Sequence, residues 1–88
     1  MAELDYFITN DKMYKLKTPI SLDIYTDDDG DYFAENTQFD IIGMSGNEGD
    51  AIEDARNEIG QIYEWKFETN FPTLKSIQKT IEMIDNLM

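Results

Sequence analysis

The feature that most constrains this chain is a strand–turn–strand signal between residues 20 and 35. Residues 20–25 alternate apolar and polar side chains, which is the period of a β-strand with one buried face. Residues 27–31 follow as four aspartates around one glycine, and both residue types tolerate the positive φ angles of tight hairpin turns. Residues 32–35 are typical of the returning strand. This pattern predicts an antiparallel β-hairpin at the centre of the fold.

Further strand signals lie on both sides of this hairpin. Residues 4–8 and 13–17 flank an Asn-Asp-Lys turn and predict an N-terminal hairpin. Pro19 is expected to separate that hairpin from the strand that begins at residue 20. Residues 39–44, from Phe39 to Met44, predict a third central strand.

Two helices are predicted after the strands. Asn47 is a suitable N-cap with Asp50 three residues later, although Gly49 weakens the first turn by up to about 1 kcal/mol. Apolar residues then recur at helical spacing, with acids over the remaining surface. The stripe of this helix comprises Ile52, Ala55, Ile59 and Ile62, flanked by Ala51, Tyr63 and Phe67.

A boundary at residues 69–72 precedes the second helix. Its apolar residues follow the a/d spacing of a packing seam, which would dock on the domain or on a second copy of the chain. The seam comprises Leu74, Ile77, Ile81, Ile84 and Met88.

These elements predict an α+β fold: an antiparallel sheet of three to five strands with one long helix packed on a face and a second, C-terminal helix. The 88 residues suffice for one small domain. We expect residues 1–19 to form an N-terminal hairpin extension, residues 20–68 the core and residues 69–88 the C-terminal helix.

Charge is concentrated in the middle of the chain. The formal net charge is −12, from 19 acidic and 7 basic side chains, and both ends are neutral. Residues 20–64 hold thirteen acids and one base, Arg56, so the whole net charge belongs to them. Such a field steers a basic partner toward one part of the molecule. The alternative interpretation is a solvated surface that only maintains solubility.

Composition excludes several classes of function. The chain has no histidine and no cysteine, which removes Ser-His-Asp and Cys-His nucleophiles, thiolate or imidazole metal sites, and disulfides. A pI near 4.1 opposes direct binding to nucleic acid or to an anionic membrane. The first residues lack the basic and apolar regions of a signal peptide, and no apolar run is long enough to span a membrane. A cytoplasmic location is therefore expected.

The aspartate-rich turn invites comparison with a calcium loop. If Gly30 takes the sixth position of an EF-hand loop, Asp27 and Asp29 fall at positions three and five. Tyr25 and Asn36 would then occupy positions one and twelve, where ligands are missing. No metal, cofactor or enzymatic activity is predicted, because the acids fall at turns and surface positions rather than in a recognisable catalytic pair.

Three aromatic residues cluster at the end of the first helix. Tyr63, Trp65 and Phe67 are expected in the core, as aromatics at helical spacing usually are. Trp65 lies two positions off the isoleucine stripe, and an exposed anchor for a partner is the alternative.

Two segments resemble the HicB-like antitoxin family. Residues 30–35, Gly-Asp-Tyr-Phe-Ala-Glu, are similar to its Gly-Gly-Tyr-x-Ala-Glu stretch. Residues 47–59 are similar to its Thr-x-x-Glu-Ala-Leu helix, with Asn47 and Asp50 in place of the Thr and Glu. The resemblance covers about residues 20–68.

The chain also departs from the family pattern. The usual Pro-x-Leu-x-Gly-Cys stretch is replaced by residues 37–42, and residues 1–19 have no counterpart. The residues after position 68 are too few for the DNA-binding domain that many members carry.

The resemblance implies a partial RNase H-like arrangement and a non-enzymatic antitoxin that neutralises a small basic ribonuclease toxin by covering its active face. We expect a basic protein partner, with no direct nucleic-acid or membrane binding, and a homodimer through the C-terminal helix as a further expectation. Charge alone selects the candidate partner contacts on the hairpin tip and the outer face of the first helix. These are Asp27, Asp28, Asp29, Asp31, Glu53, Asp54 and Glu58.

Two alternative functions stay open at this point. An acidic mimic of DNA, such as a phage anti-CRISPR or anti-restriction protein, would inhibit a nucleic-acid enzyme with carboxylates in two rows spaced like phosphates. An orphan dimerising domain would use its charge only for solubility.

Overall fold

The fold is α+β, as the sequence predicts. A computed structural model describes residues 2–67 and 75–88, and its four strands form one antiparallel sheet in the order β1-β2-β3-β4. A long helix packs on one face of this sheet and a second helix follows. The elements are β1 (Ala2–Thr9), β2 (Lys12–Thr26), β3 (Tyr32–Asn36), β4 (Ile41–Ser45), α1 (Glu48–Glu64), a 3₁₀ turn (Trp65–Phe67) and α2 (Lys75–Leu87).

The second strand corrects the expectation that Pro19 separates two strands. β2 runs continuously through Pro19, and its first half pairs with β1 while its second half pairs with β3. The β1–β2 register is irregular at this point, since residues 16–19 lie opposite Asp5 alone. Proline has no N–H to donate, and an irregular stretch of the ladder requires none. The N-terminal hairpin is thus part of the main sheet.

The fourth strand starts later than expected. Residues 37–40 form a turn in which Asp40 has φ 56°, and β4 begins at Ile41. Phe39 donates its N–H to Asn36 Oδ1 over 3.0 Å and buries its side chain. Phe39 is therefore a core residue of the turn rather than the first residue of a strand.

The N-terminus of α1 matches its prediction. Asn47 Oδ1 accepts the N–H of Asp50 over 2.8 Å, and Asn47 Nδ2 donates to Asp50 Oδ2. The buried face is rotated from the predicted stripe, because the fully covered positions include small residues while Ile52 and Ile62 are only half-buried. The buried residues are Ala51, Ala55, Ile59, Gly60 and Tyr63.

Close contact between α1 and the sheet explains this rotation. A Cβ at Gly43 of β4 would collide with the carbonyl oxygen of Ala51 and lie 2.5 Å from the amide nitrogen of Ala55. A Cβ at Gly60 would collide with the carbonyl oxygen of Ile8 in β1. Because backbones meet at both points, the helix crosses the sheet from β4 to β1 on small residues, and larger residues flank the crossing.

The second helix docks on its own chain. Ile81 and Ile84 are buried in the common core, with Ile77 and Met88 packed around them. Leu74 and the predicted boundary at residues 69–72 lie outside the described residues. The apolar seam of α2 is therefore covered by β2 and α1 of the same chain. A homodimer through α2 stays a prediction, and the packing of this seam does not support it.

A polar cluster fastens α2 to the end of α1. Tyr63 Oη donates to Asp85 Oδ1 over 2.6 Å, and Lys66 Nζ donates to both Asp85 oxygens over 3.0 and 3.1 Å. Partial burial acts to raise the pKa of Asp85, but the hydrogen bonds from Tyr63 and Lys66 outweigh it and hold that pKa below its usual value. The Tyr63 and Asp85 hydrogen bonds raise the pKa of Lys66.

The aromatic prediction is only partly right. Tyr63 is buried and packs edge-on against Phe7 at 5.1 Å between ring centroids. Trp65 is 39% exposed and Phe67 is 48% exposed, so the assignment of both to the core is wrong. The helix changes to a 3₁₀ turn at Trp65, which carries these side chains out of the helical stripe.

Candidate protein-binding surface

The sheet face opposite α1 carries a row of apolar side chains. Phe33 of β3 lies directly opposite Tyr25 of β2 on one side and Met44 of β4 on the other. Their alternate neighbours point toward the helix, as the burial of Ala34 and the close approach at Gly43 require. Tyr25 is 43% exposed and Met44 is 55% exposed. We call Tyr25, Phe33 and Met44 the apolar row.

The next row along the same face is acidic. Glu35 of β3 lies opposite Asp23 of β2 and opposite Ile42 of β4. Carboxylates directly opposite each other on neighbouring strands destabilise a sheet, because their Cβ atoms are only about 5 Å apart. Among the described residues, neither acid has an ion-pair partner. We call Asp23, Glu35 and Ile42 the acidic row, after its two carboxylates.

Tyr25 and Glu35 connect the two rows. Partial desolvation on the sheet raises the pKa of Tyr25, and the neighbouring Glu35 adds to this through its charge and its hydrogen bond with the phenol. Both effects favour the protonated phenol as donor and the carboxylate as acceptor. The aromatic ring of Tyr25 also stacks on Phe33, with centroids 5.1 Å apart and planes inclined by 11°.

The predicted acidic hairpin tip joins β2 and β3 at one end of this face. Asp27 Oδ1 accepts the N–H groups of Asp29 and Asp31 over 3.0 and 2.9 Å, and Gly30 takes φ 84°. Asp27 therefore shapes the turn, as Asp side chains commonly do. Asp28 and Asp29 extend the negative field of the sheet face into solvent. Within residues 2–67 and 75–88, no three acidic side chains are grouped to hold a metal ion.

The helix acids take up other positions. Asp54 Oδ2 accepts the N–H of Met44 over 2.9 Å, and Glu58 Oε2 accepts the N–H of Ile42 over 3.3 Å. Asp54 and Glu58 are thus brought together along the outer edge of β4. Desolvation raises the pKa of Glu58 more than the Ile42 hydrogen bond lowers it, and Asp54 and Asp40 raise it further.

Glu53 lies on the opposite flank of α1. It forms an ion pair with Arg56, whose guanidinium also lies 4.2 Å from the centroid of the Tyr6 ring in β1. The one base of residues 20–64 is therefore engaged within the chain. Of the predicted contacts, the tip residues border the sheet face, whereas Glu53, Asp54 and Glu58 interact with their own chain.

Charge alone did not identify the apolar and acidic rows. The sequence of β2 does contain a sign of this surface. In the alternation that begins at Ile20, Tyr25 occupies a position where a polar, solvent-facing side chain is expected. A large aromatic side chain at a solvent-facing strand position indicates a contact surface. The pairing of Asp23 with Glu35 depends on register, which the turn length and the opposite strand decide together.

A concave region lies between the first hairpin and α1. This depression measures about 300 Å³ and is lined by Thr9, Asn57, Gln61 and Glu64, among others. Thr9 Oγ1 is buried and has no hydrogen-bond partner within the described residues. Its polar lining differs from the apolar pockets that bind most small ligands, so the sheet face is the stronger candidate.

Comparisons with protein-family models, with curated proteins and with solved structures find no match for this chain. Within its described part, neither helix combines the length and the apolar character needed to cross a membrane.

Proposed function

We propose that this chain is a non-enzymatic, antitoxin-like inhibitor that binds a small basic ribonuclease toxin in the cytoplasm. The observation that carries the proposal is the sheet face on which exposed apolar side chains lie beside two carboxylates that have no ion-pair partner among the described residues. Protein interfaces combine these features: buried aromatic anchors supply affinity, and complementary charge supplies association rate and selectivity.

The partner's basic character follows from charge. Thirteen of the nineteen acids lie in residues 20–64, and Arg56 is engaged by Glu53 and Tyr6. A basic surface approaching the sheet face would meet the tip and the acidic row first and then cover the apolar row. Covering the partner's active face in this way would exclude its RNA substrate.

The resemblance to HicB-like antitoxins supports the toxin class of partner. Its two segments correspond to β3 with the preceding turn and to the first two-thirds of α1. An antiparallel sheet with a helix across one face agrees with the arrangement that the family implies. Many unrelated proteins share such an arrangement, so the charge and the exposed row carry more of the support than the fold does.

The apolar row favours this proposal over a mimic of DNA. Mimicry of a phosphate backbone requires carboxylates at phosphate-like spacing, and exposed tyrosine and methionine side chains add nothing to it. A protein-binding face uses such side chains as its anchors.

The test uses any small basic protein that is encoded next to the gene of this chain. We expect that protein to cleave RNA, to slow growth when expressed alone, and to lose both effects when this chain is co-expressed. Binding measured by calorimetry should weaken by about tenfold or more between 50 and 500 mM NaCl, because the attraction is largely electrostatic.

Two outcomes would overturn the proposal. One is the absence of binding between the purified chain and any such neighbour. The other is binding to a nucleic-acid enzyme that duplex DNA displaces, which would favour the DNA mimic instead. The variant Met44→Ser distinguishes the antitoxin-like inhibitor from the DNA mimic. Its affinity for the partner should fall only if the interface is anchored on the apolar row.

A further inference from the structure

The geometry of the sheet face points to a particular side chain of the partner. The rings of Tyr25 and Phe33 stack on each other, so a partner can reach only their outer faces and edges. Asp23 and Glu35 stand two residues further along the same strands, on the same face of the sheet. The site therefore combines an aromatic surface with two carboxylates at its border. A planar cation satisfies both parts at once, because its face can stack on the outer face of the Tyr25 ring while its edge donates to carboxylate oxygens.

The acidic pair is incomplete without a cation. Asp23 and Glu35 repel each other across the strands, and neither has an ion-pair partner among the described residues. Two of the chain's cations have partners of their own: Arg56 contacts Glu53 and Tyr6, and Lys66 pairs with Asp85. An incoming cation would remove the repulsion and also gain two ionic hydrogen bonds.

The shape of the site favours guanidinium over ammonium. An arginine head is flat, weakly hydrated and presents donors in a fork, whereas a lysine head is a compact and strongly hydrated point charge. Only the arginine head can stack on Tyr25 and donate two hydrogen bonds to Glu35 in one orientation.

We propose that the Tyr25–Phe33 pair with Asp23 and Glu35 forms a receptor for an arginine side chain of the basic partner. This inference rests on the proposed function for the existence of that partner, and it adds the chemical identity of the contact. The arginine inserts at the centre of the sheet face, and the tip aspartates steer it there without contacting it.

The first experiment titrates the isotope-labelled full chain with a short blocked arginine–glycine peptide and with its lysine–glycine counterpart. We expect the arginine peptide to bind about two- to fivefold more tightly. The largest amide shifts should fall at Tyr25, Phe33 and Glu35, with smaller ones at Asp28.

Two variants test the receptor, each with a matched control. The double variant Asp23→Asn/Glu35→Gln should weaken the arginine peptide by about fivefold or more, whereas Asp11→Asn/Glu82→Gln, which removes the same charge outside the site, should weaken it less than about twofold. Tyr25→Leu should abolish the preference for arginine over lysine, and Phe67→Leu, an exposed aromatic outside the site, should retain it. Urea unfolding of each variant checks that the fold is intact.

The receptor is overturned if both peptides bind equally, or if the two double variants weaken binding to the same extent. Its failure is distinct from failure of the proposed function. Binding of the basic neighbour by wild-type chain and by Asp23→Asn/Glu35→Gln with equal affinity would retain the antitoxin-like function and reject the receptor. Absence of any basic neighbour that binds would reject the antitoxin-like function, whatever the peptides do.

Discussion

At the scale of single residues, glycine decides how closely α1 approaches the sheet. Gly43 faces the backbone of α1 at Ala51 and Ala55, and Gly60 faces the backbone of β1 at Ile8. A methyl group at either point would separate the two layers of the core. The missing side chains thus allow the contact between layers that buries Ile59 and Ala34.

Replacement of Gly43 tests this contact. Gly43→Ala should lower the free energy of unfolding by about 2–3 kcal/mol, because rigid backbone atoms cannot move away from the new methyl group. Gly46→Ala is the matched control: no atom lies within 4 Å of the position a Cβ would take there, and we expect a change within about 0.5 kcal/mol. Urea unfolding followed by far-UV circular dichroism measures both. Equal effects of the two substitutions would contradict the close approach of α1.

At the scale of elements, α1 protects the outer edge of β4. An edge strand presents unpaired N–H groups that can recruit another strand. Here the carboxylates of Asp54 and Glu58 accept the N–H groups of Met44 and Ile42, at the same spacing as the outward amides of a strand. The helix therefore supplies the acceptors that a fifth strand would otherwise provide.

Removal of an acceptor should expose that edge. Asp54→Ala should lower the free energy of unfolding by about 1 kcal/mol and increase self-association, because the Met44 N–H loses its partner. Asp54→Asn retains an oxygen acceptor and should keep the oligomeric state of the wild type and near wild-type stability. Light scattering coupled to size exclusion measures the association. An increase for Asn as large as for Ala would show that charge, not the hydrogen bond, protects the edge.

A second prediction at this scale concerns the attachment of α2. The pKa of Asp85 is lower in the folded chain than in the unfolded one, so its contribution to stability is complete above about pH 4 and is lost as pH falls through the folded value. Asp85→Asn should therefore lower the free energy of unfolding by about 1 kcal/mol at pH 7, and this loss should shrink as pH falls below about 4.

Glu82→Gln, on the exposed face of the same helix, controls for the lost charge and should have little effect in either pH range. Urea titrations in the two pH ranges give the comparison. A constant difference between wild type and Asp85→Asn across this range would contradict the ionic contribution. Lys66 gives the opposite pH dependence, because its pKa is raised in the folded chain. Its contribution to stability is complete below about pH 10 and is lost as pH rises through the folded pKa.

At the scale of the whole molecule, charge opposes compactness. Thirteen acids lie in residues 20–64, between the second half of β2 and the end of α1. Within the described residues, only Glu53 among them forms an ion pair. Their mutual repulsion is longer in range than hydrogen bonds and is screened by salt. The free chain is thus less stable than its packing alone would make it, and a basic partner would reduce this repulsion.

Salt should accordingly stabilise the free chain. Between about 10 and 300 mM NaCl at pH 7, we expect the free energy of unfolding to rise by about 1 kcal/mol. Asp28→Asn/Asp29→Asn should reduce this gain, because it dilutes the field at the hairpin tip. Thermal and urea unfolding at several salt concentrations measure it. A fall in stability with salt would mean that attractive ion pairs dominate instead.

Local signals in the sequence determined the central hairpin, the N-cap of α1 and the concentration of charge in residues 20–64. These features depend on neighbours within a few residues: Gly30 adopts positive φ in its turn, and Asn47 caps the helix through Asp50. Sequence reasoning was therefore sufficient for the α+β class and for the acidic hairpin tip of the candidate surface.

Only the tertiary structure decided the continuity of β2 through Pro19, the rotated buried face of α1 and the exposure of Trp65. It also placed Asp23 opposite Glu35 and Tyr25 opposite Phe33, which created the candidate surface. The physical reason is that strand register and the approach of a helix to a sheet are set by contacts between residues distant in the chain. A periodic pattern says which side chains can share a face, but the pairing of strands decides which of them meet.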